Sequence, residues 1–475
     1  MFRANPWIIV GGGASGLATA FFLRRFGLDS VIVERGSSLG GRMGTVRLGD
    51  RALDCGGKNI GRQYTLFRTF AASLGNHPLE HFGLNSSQVI DGRLETFDAA
   101  ARWRTMARLT RGASVRDLVR FARLLLTVKR DELSGYLGSD AARALGRHHD
   151  ERAADAYFSR AFCERILRPM TVRMNGAEPD EVYVGNLLSN VRMLTDTYEQ
   201  FTNGLMPLLD AFCTRYDVRL DTRTEELLLE GGRVTGVRVR YADGSAGELR
   251  GAGVILATPA NAAAALTEQV LPRLTAELRS VAYYPVTLAL AEYDQPVFTP
   301  AVRAVVFGRD EVVSNAGAYG VHDLNLVRYT FSGRAFRRIA AIDRNDHALV
   351  DHAESVLARH MPFRATRRRF VAKHFDTGLC AYTAHHGRFL DRVASELRQV
   401  EGLYLTGDYI QGASIEACFR AASACAQQLA QTHEQVFAGA RRRTTEPVAG
   451  SAFEVPPARH LISQCEPQIG SSLSH

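Results

Sequence analysis

The sequence predicts a protein of the α/β class with two closely joined domains. Its 475 residues exceed what a single hydrophobic core usually serves, so two domains are the natural expectation. Near the N-terminus an apolar run, a helical stretch and a second apolar run follow one another, which is the order found in doubly wound sheets. Strand-like runs return after a long helical region, so helices and strands alternate again farther along the chain.

Composition defines the first strand and helix. Residues 7–10 are continuously apolar, as expected for a strand buried in a parallel sheet. Residues 14–26 have helical composition, and Gly27 is a typical stop for such a helix. Residues 30–34 form the second predicted strand, so the segment is expected to fold as strand, turn, helix and strand.

A glycine-rich turn joins the first strand to the helix. Gly11, Gly13 and Gly16 fit the pattern G-x-G-x-x-G between a strand and a helix. The first glycine permits the tight turn, the second lets a pyrophosphate approach the backbone, and the third lets helix and strand pack closely. Ala14 and Ser15 open the helix, whose free N–H groups and positive dipole end would bind phosphate. The turn therefore predicts a dinucleotide site of the Rossmann type.

An acidic residue at the end of the second strand narrows the choice of dinucleotide. Glu34 follows Gly16 by eighteen residues, close to the spacing of about 20 expected for the acid that binds a ribose. Its charge would repel the extra phosphate of NADP, which leaves NAD or FAD. Arg35, the next residue, is also predicted to contact the nucleotide.

Composition also limits the class of protein. The chain is 46% hydrophobic and 23% charged, as is ordinary for a globular protein, and no apolar run is long enough to span a bilayer. Its seven cysteines show no CxxC pair and no metal-like spacing, so we expect reduced thiols, no metal and a cytoplasmic protein. The apolar N-terminus lacks a cleavage-site pattern, which argues against a signal peptide.

The net charge of +8 is concentrated in residues 101–130, which contain nine basic residues and one acid. That acid, Asp117, lies in the first turn of a predicted helix with Ser114 as its N-cap. Helical spacing separates arginines from apolar residues on the other side, namely Val115, Leu118, Val119, Ala122, Leu125 and Leu126.

Three interpretations of this basic helix stay open. It could rest on an anionic membrane surface and make the protein peripheral to the membrane. It could form an entrance for an anionic substrate or a contact for a carrier protein. It could also be a solvated face with no partner. Nucleic-acid binding is disfavoured because few aromatic residues interleave with the charges.

Several segments beyond the second strand carry a family resemblance. They are Ser-Leu-Gly-Gly-Arg-Met-Gly-Thr at 38–45, Asp-Cys-Gly-Gly at 54–57, Leu-Thr-Gly-Asp at 405–408 and Gly-Ala-Ser-Ile-Glu-Ala at 412–417. With them the chain resembles the FAD-dependent amine oxidase superfamily, which includes amine oxidases, protoporphyrinogen oxidase and the carotenoid and squalene-type desaturases. The resemblance covers residues 5–65, 203–262 and 400–430. It implies FAD, bound non-covalently because Cys380 lies in no recognisable attachment context.

The resemblance implies particular cofactor contacts. Glu34 would bind the adenosine ribose, and the backbone of Thr224 would meet the adenine. Gly41 and Arg42 would lie near the pyrophosphate and the flavin edge. Asp408 would accept hydrogen bonds from the linker between the flavin ring and the phosphates.

At the flavin ring, the resemblance implies contacts from both ends of the chain. Lys58 and Asn59 follow the Asp-Cys-Gly-Gly segment and could reach the N5 side, and Gly57, the last residue of that segment, would also bind the cofactor. Ile415, at the start of the final helix, would present its N–H to the pyrimidine ring. A helix N-terminus aimed there would stabilise the negative charge of reduced flavin.

The resemblance also implies a division into domains. The FAD-binding Rossmann-type domain would be built from discontinuous segments, 1–78, 203–265 and 399–438. The α+β substrate domain would combine a helical insertion at 79–202 with a mixed sheet from 266–398. Residues 439–475 are rich in Arg, Thr, Pro, Ser and Gly, which predicts a disordered tail.

Two departures from the family bear on the substrate. Many amine oxidases have a lysine on a strand that faces flavin N5, but residues 287–293 contain none. Those enzymes also tend to have an aromatic residue before the final helix, where this chain has Ala413 and Ser414. Both differences weaken the interpretation as a simple amine oxidase.

A separate stretch supplies candidates for the chemistry. Cys-Ala-Tyr-Thr-Ala-His-His at 380–386 is similar to the segment on the substrate side of the flavin in protoporphyrinogen oxidase and the desaturases. Tyr382 and His385 are therefore candidates for substrate contact and proton transfer. Lys58 is a third candidate because of its expected place at the flavin edge.

The expected activity is dehydrogenation of a small, largely apolar metabolite in a biosynthetic pathway, with hydride transfer to FAD and reoxidation by dioxygen or a quinone. The departures favour formation of a C=C bond over amine oxidation to an imine. A redox-neutral flavin-dependent isomerase is a further alternative, and a non-catalytic flavin-binding partner protein is a third.

Overall fold

The computed structural model describes residues 5–81, 86–96, 107–340 and 345–444. Residues 101–106 of the basic segment and residues 445–475 of the predicted tail lie outside them. The strands of the described residues are β1 (Trp7–Val10), β2 (Ser30–Val33), β3 (Thr45–Leu48), β4 (Arg51–Asp54), β5 (Ile60–Gly61), β6 (Leu79–His81), β7 (Ser86–Ile90), β8 (Arg93–Thr96), β9 (Tyr198–Phe201), β10 (Asp217–Arg219), β11 (Arg223–Glu230), β12 (Arg233–Arg240), β13 (Ala246–Arg250), β14 (Gly253–Leu256), β15 (Tyr283–Tyr293), β16 (Ala304–Val306), β17 (Val313–Ala318), β18 (Leu326–Phe331), β19 (Arg367–Cys380) and β20 (Leu403–Leu405).

The helices of the same residues are α1 (Ala14–Arg25), α2 (Thr65–Leu74), α3 (Val115–Arg130), α4 (Asp140–His149), α5 (Arg160–Phe162), α6 (Arg168–Asn175), α7 (Leu187–Thr195), α8 (Met206–Cys213), α9 (Ala260–Thr267), α10 (Pro272–Arg279), α11 (Gly333–Ala340), α12 (Asp346–Ala358), α13 (His386–Leu397), α14 (Asp408–Gln411) and α15 (Ile415–Thr444). A π turn, Cys163–Leu167, joins α5 to α6. Short 3₁₀ turns are Gly41–Met43, Glu132–Gly135, Ala154–Ala156, Pro179–Glu181 and Val184–Asn186.

A parallel sheet organises the part of the chain that contains the glycine-rich turn. Its strands are ordered β10-β2-β1-β14-β20 within the described residues, and each neighbouring pair is parallel. Ile9 and Ile255 pack in one apolar cluster with side chains of α1 and α15. Ile8 and Val254, which point the other way, pack in a second cluster with α9. Strands buried on both faces need the continuous apolar sequence that predicted them, and the predicted strands and α1 are confirmed.

A second, larger sheet is mixed, and its strands have the order β19-β15-β18-β17-β16-β7-β8. Its central pairs are antiparallel, and β16 pairs with β7 in parallel. The sequence also alternates in a strand-like manner around 286–291 and 324–331, and β15 and β18 form there. The long strand β19 was not predicted as a unit, because its basic sequence resembles no half-buried strand.

The basic helix α3 forms as predicted at its start, but its apolar stripe does not pack inward. Ser114 caps α3 by accepting a hydrogen bond from the Asp117 N–H, 3.1 Å away. Leu124 and Val128 are its buried apolar residues. Val115 and Leu126 are 78% and 51% exposed. The apolar side chains of the predicted stripe therefore lie largely at the surface.

The last helix is longer than predicted. The sequence indicates a helix over 415–430, whereas α15 spans Ile415–Thr444. Residues 439–444, the first of the predicted tail, are therefore part of this helix. Among the described residues, no helix is both long and apolar enough to cross a membrane.

Candidate active site

A cavity of about 1720 Å³ extends from the glycine-rich turn to the seven-stranded sheet. Val10, Val33 and Ala257 in its wall lie at or just beyond the carboxyl ends of β1, β2 and β14. Doubly wound sheets bind their ligands at this edge. Because pockets for one small ligand usually measure about 300–1,000 Å³, this cavity has room for a dinucleotide and a second molecule.

The glycine-rich turn has the geometry of a phosphate cradle. Gly11 has a φ of +106°, and a Cβ at Gly16 would lie 1.9 Å from the Gly11 carbonyl oxygen. Only glycine therefore allows α1 to pack so closely on β1. Gly13 lines the cavity, and the nearest described atom to a Cβ there would be 4.0 Å away. The first turn of α1 has no acidic residue, so its free N–H groups favour an anion.

Glu34, the acid predicted to bind the ribose, also forms hydrogen bonds with the protein backbone around the glycine-rich turn. Glu34 Oε2 accepts a hydrogen bond from the Gly12 N–H at 2.7 Å, and Oε1 accepts one from the Gly36 N–H at 2.8 Å. Each oxygen keeps a second lone pair, and Glu34 lines the cavity. The carboxylate can therefore hold the turn in place and still accept a hydroxyl group.

An ion pair joins the two ends of the chain at the middle of the cavity. The Arg42 guanidinium lies 2.6 Å from Asp408 Oδ2, and the Tyr283 hydroxyl donates to Asp408 Oδ1 at 2.8 Å. Burial alone disfavours the charged guanidinium, but the Asp408 carboxylate raises the pKa of Arg42. Asp408 therefore has two protein partners besides the cofactor linker predicted for it. Sequence reasoning missed Tyr283, which carries no motif.

The start of α15 also reaches the cavity. Ala413, Ser414 and Ile415 line it, so the N-terminal turn of this helix faces the space where the resemblance places the flavin. Glu416 is buried and accepts hydrogen bonds from the Leu66 and Phe67 N–H groups at 3.2 and 3.1 Å. The same carboxylate thus ties α15 to the start of α2.

Several polar atoms in the cavity wall are buried without a hydrogen-bond partner among the described residues. They are Asn59 Oδ1, Thr224 Oγ1 and Thr258 Oγ1. Such an atom costs about 1–3 kcal/mol when it stays unpaired, so a polar ligand would be stabilised there. The ribose, phosphate and amide groups of FAD would supply partners, and the residues present fit that cofactor.

Most residues predicted to bind the cofactor are brought to this one cavity. Those that line it are Gly11, Gly13, Ala14, Ser15, Glu34, Arg35, Gly41, Arg42, Gly57, Lys58, Asn59, Thr224, Asp408 and Ile415. Gly16 lies behind the wall, in the contact between α1 and β1. The contact of each residue with a particular part of FAD stays a prediction.

Lys58 is buried at the wall of the cavity, with 3% of its surface exposed. Its Nζ donates hydrogen bonds to Gln200 Oε1 and to the Tyr319 carbonyl oxygen. Burial, with the nearby positive charge of Arg328, holds the pKa of Lys58 well below its usual value. The amine is therefore more readily neutral than an ordinary lysine, as a proton acceptor must be.

Tyr382 and His385 do not line the cavity, contrary to the predicted substrate contact. The Tyr382 hydroxyl donates to the Asp408 carbonyl oxygen at 2.7 Å, and burial raises the pKa of Tyr382 well above its usual value. The His385 side chain is about half exposed and lies 3.9 Å from Asp150. Both residues have positive φ where the chain turns from β19 into α13. The turn places them behind the wall, where the Tyr382 hydroxyl contacts the backbone of Asp408.

A single row of paired residues crosses the sheet and faces the cavity. Its members are direct neighbours from strand to strand, which places their side chains on one face. From β19 to β8 they are Lys373, Leu288, Thr330, Asn315, Val306, Gln88 and Glu95. Sequence reasoning missed this row because register, rather than any local motif, brings its members together.

The row also corrects one inference from the sequence. Residues 287–293 indeed contain no lysine, but Lys373 on β19 pairs with Leu288 of β15 and lines the cavity. The sheet therefore presents a lysine from the neighbouring strand. The missing lysine of β15 alone does not separate desaturation from amine oxidation.

Apolar side chains of the helical part cover the other side of the cavity. They are Leu118, Phe121, Leu125, Phe162, Ile166, Met170, Met174, Met193 and Leu194. Leu118 and Leu194 are also 42% and 50% exposed, so the cavity reaches the surface beside α3. We refer to these residues as the apolar roof.

Comparison with known proteins agrees with this geometry. The family model described as flavin containing amine oxidoreductase matches residues 14–430. A cyclohexylamine oxidase from Brevibacterium oxydans IH-35A is 18% identical with a TM-score of 0.68, over 91% of this chain and 100% of that one. A protein assigned as a protoporphyrinogen oxidase from Exiguobacterium sp. 255-15 is 19% identical with a TM-score of 0.66, over 90% and 99%.

A wild-type putrescine oxidase bound to putrescine is 17% identical, with a TM-score of 0.65 over 90% of this chain and 99% of that one. At these identities the solved structures establish the shared fold, and the match to the family model establishes membership. The chain belongs to the flavin-containing amine oxidoreductase family and is an FAD-dependent oxidoreductase.

Proposed function

We propose that this enzyme dehydrogenates an organic substrate with a large apolar body and forms a C=C bond. The observation that carries the proposal is the continuity of one cavity from the glycine-rich turn to the apolar roof. An apolar substrate held under the roof would lie next to the cofactor, away from bulk water. FAD, when bound, supplies the hydride acceptor and passes the electrons on to dioxygen or a quinone.

Formation of a C=C bond removes a hydride from one carbon and a proton from its neighbour. We assign the proton to Lys58 Nζ, because Lys58 lines the cavity and its pKa is lowered by burial and by Arg328. Gln200 and the Tyr319 carbonyl oxygen fix the position of Nζ. A base held in this way can accept a proton without reorganisation of its surroundings.

Oxidation of a simple amine is the main alternative, and the charges of the cavity disfavour it. Arg173, Arg328 and Lys373 all line its substrate end. An alkylammonium ion would meet positive charge there with little water to screen it. The residues before α15, Ala413 and Ser414, also provide no aromatic surface to hold an amine.

We also propose that α3 contacts an anionic membrane surface from which an apolar substrate enters. Val115, Val119 and Leu126 form an exposed stripe on this helix, beside the exposed Arg116 and Arg123. Helices that lie in a membrane interface combine such apolar and basic residues. Leu118, on the same helix, also lines the cavity, so the stripe lies next to its opening.

Anaerobic mixing of the purified yellow holoenzyme with candidate substrates tests the activity. We expect saturated or partly saturated apolar precursors to bleach the visible absorbance of oxidised flavin, whereas simple alkylamines do not. Product should form in proportion to the acceptor consumed on readmission of air. Bleaching by alkylamines alone would contradict the proposal, and turnover without acceptor consumption would indicate an isomerase.

A further inference from the structure

Two arginines face the substrate end of the cavity, and neither has a carboxylate partner in the part of the chain that the structure describes. Arg173 extends from α6 in the helical part, and Arg328 from β18 in the sheet. Within the described residues, neither forms an ion pair with an acid at 4.0 Å or less. Arg328 donates one hydrogen bond, to the Gly56 carbonyl oxygen at 3.0 Å, and its Nε is buried with no partner there.

Two other arginines of the chain, Arg168 and Arg42, are each paired with a carboxylate. Arg168, five residues before Arg173, lies with its Nε 2.9 Å from Glu178 Oε2 and donates to the carbonyl oxygens of Phe307 and Gly308. Arg42 is paired with Asp408. Arg168 and Arg42 thus each have a carboxylate partner that offsets the cost of removing a charge from water.

The electrostatic surroundings agree with this contrast. Burial lowers the pKa of both Arg173 and Arg328, and the positive charge of Arg173 lowers that of Arg328 further. Both groups line the same cavity, one from the helical part and one from the sheet. Asp54, the acid that acts on Arg328, is itself buried, accepts a hydrogen bond from the Leu205 N–H and has a raised pKa. The Asp54 carboxyl group alone therefore does not neutralise the two guanidinium groups.

We propose that Arg173 and Arg328 form an anion subsite that binds the carboxylate of the substrate. Two guanidinium groups from opposite walls can each donate paired N–H groups to one carboxylate, the geometry for which arginine is best suited. The carboxylate would neutralise charge that the fold leaves unpaired. With the apolar roof above, the site selects a molecule with an apolar body and one anionic head.

This inference deepens the proposed function and rests on it, because it assigns the substrate class of the same cavity. The substrate would be an amphiphilic carboxylic acid, and its head would be fixed beside the turn at Gly56 that Arg328 contacts. The apolar body would then extend under the roof toward the opening beside α3. A neutral analogue would lose the head contacts, and a cationic one would be repelled.

The test measures binding to the holoenzyme by calorimetry, with three probes that share one apolar body. They are 4-phenylbutyrate, 4-phenylbutanol and 4-phenylbutylamine. Because a hydrogen bond to a charged group contributes about 1.5–3 kcal/mol, we expect the carboxylate to bind at least about tenfold more tightly than the alcohol. The amine should bind most weakly. Equal affinity of the carboxylate and the alcohol would overturn the subsite.

Single substitutions in the cavity test which residues bind the carboxylate. Arg173→Met and Arg328→Met should each remove most of the preference for the carboxylate and leave the affinity for 4-phenylbutanol unchanged. Arg165→Met is the matched control, because Arg165 lines the same cavity but is paired with Asp91 at 2.8 Å. It should keep the preference. If Arg328→Met fails to retain flavin, Arg328→Lys keeps the charge and Arg173→Met alone still decides the question.

The two proposals fail in different ways. Binding is measured without turnover, so a preference for the carboxylate that depends on Arg173 and Arg328 supports the subsite even if no acid bleaches the flavin. Conversely, bleaching by a neutral apolar precursor with no preference for the carboxylate would uphold dehydrogenation and overturn the subsite. Loss of preference in Arg165→Met to the same extent would indicate a general effect of positive charge.

Discussion

The two ends of the cavity are built in different ways. At the nucleotide end, the residues of one turn and of the start of α1, from Gly13 to Gly16, offer backbone N–H groups, and Glu34 holds that turn in place. At the substrate end, side chains from seven strands and several helices meet, and each strand gives one residue to the row. The first end is local in sequence and depends on backbone shape. The second depends on register and on charge.

The largest expected effect concerns two glycines at the nucleotide end. Gly16 is needed for the packing of α1, whereas Gly13 lines the place of the ligand. Gly16→Ala would place a Cβ 1.9 Å from the Gly11 carbonyl oxygen, so it should abolish flavin binding and also lower the stability of the flavin-free protein. Gly13→Ala meets no such clash. It should lose flavin because its Cβ enters the phosphate cradle, with the flavin-free melting temperature unchanged. Flavin content and thermal unfolding of both variants check this, and equal stability of the two apoproteins would contradict it.

The next effect concerns the substrate end. Replacing Lys58 by Met removes the proposed proton acceptor, so kcat/KM should fall by about 10²- to 10⁴-fold while flavin remains bound. Because the neutral amine is the active form, the rate of the unaltered enzyme should rise with pH through the lowered pKa of Lys58. That rise should be absent in Lys58→Met. A residual rate with the same pH profile would show that another group accepts the proton.

The contrast between the two ends also explains what the sequence could predict. The turn at Gly11 to Gly16, the parallel strands and the start of α3 were predictable because each depends on neighbours within a few residues. Lys373 and Thr330 were not, since they meet only through the pairing of β19, β15 and β18. The place of Tyr382 behind the wall was not predictable, because a similar local motif does not specify the path of the chain through a turn with positive φ.

A smaller effect is expected for His386, which contacts the backbone behind the middle of the cavity. His386 is buried, its Nε2 lies 2.9 Å from the Tyr409 carbonyl oxygen, and burial lowers its pKa from 6.5 to about 4. The unfolded chain therefore binds more protons than the folded one between these pH values, so stability falls as pH drops through that window. The loss amounts to at most about 3 kcal/mol.

His386→Gln should remove that part of the pH dependence, because the amide does not titrate. Denaturant unfolding at pH 4.5 and pH 7 measures the difference, and the unaltered protein should lose more stability on acidification than the variant. His385→Gln is the matched control, since His385 is the adjacent residue and about half exposed. An unchanged pH dependence in His386→Gln would place the acid sensitivity elsewhere.

The smallest expected effect concerns the opening of the substrate end. A basic residue near an anionic membrane contributes about 1 kcal/mol, so Arg123→Gln on α3 should weaken binding to vesicles that contain phosphatidylserine by about fivefold. Arg250→Gln is the control, because Arg250 is an arginine on β13 paired with Glu230. Cosedimentation with vesicles measures both, and salt should weaken the binding. Equal losses in the two variants, or equal binding to neutral vesicles, would argue against α3 as the contact. Retained affinity for a carrier protein alone would then favour the other interpretation of this helix.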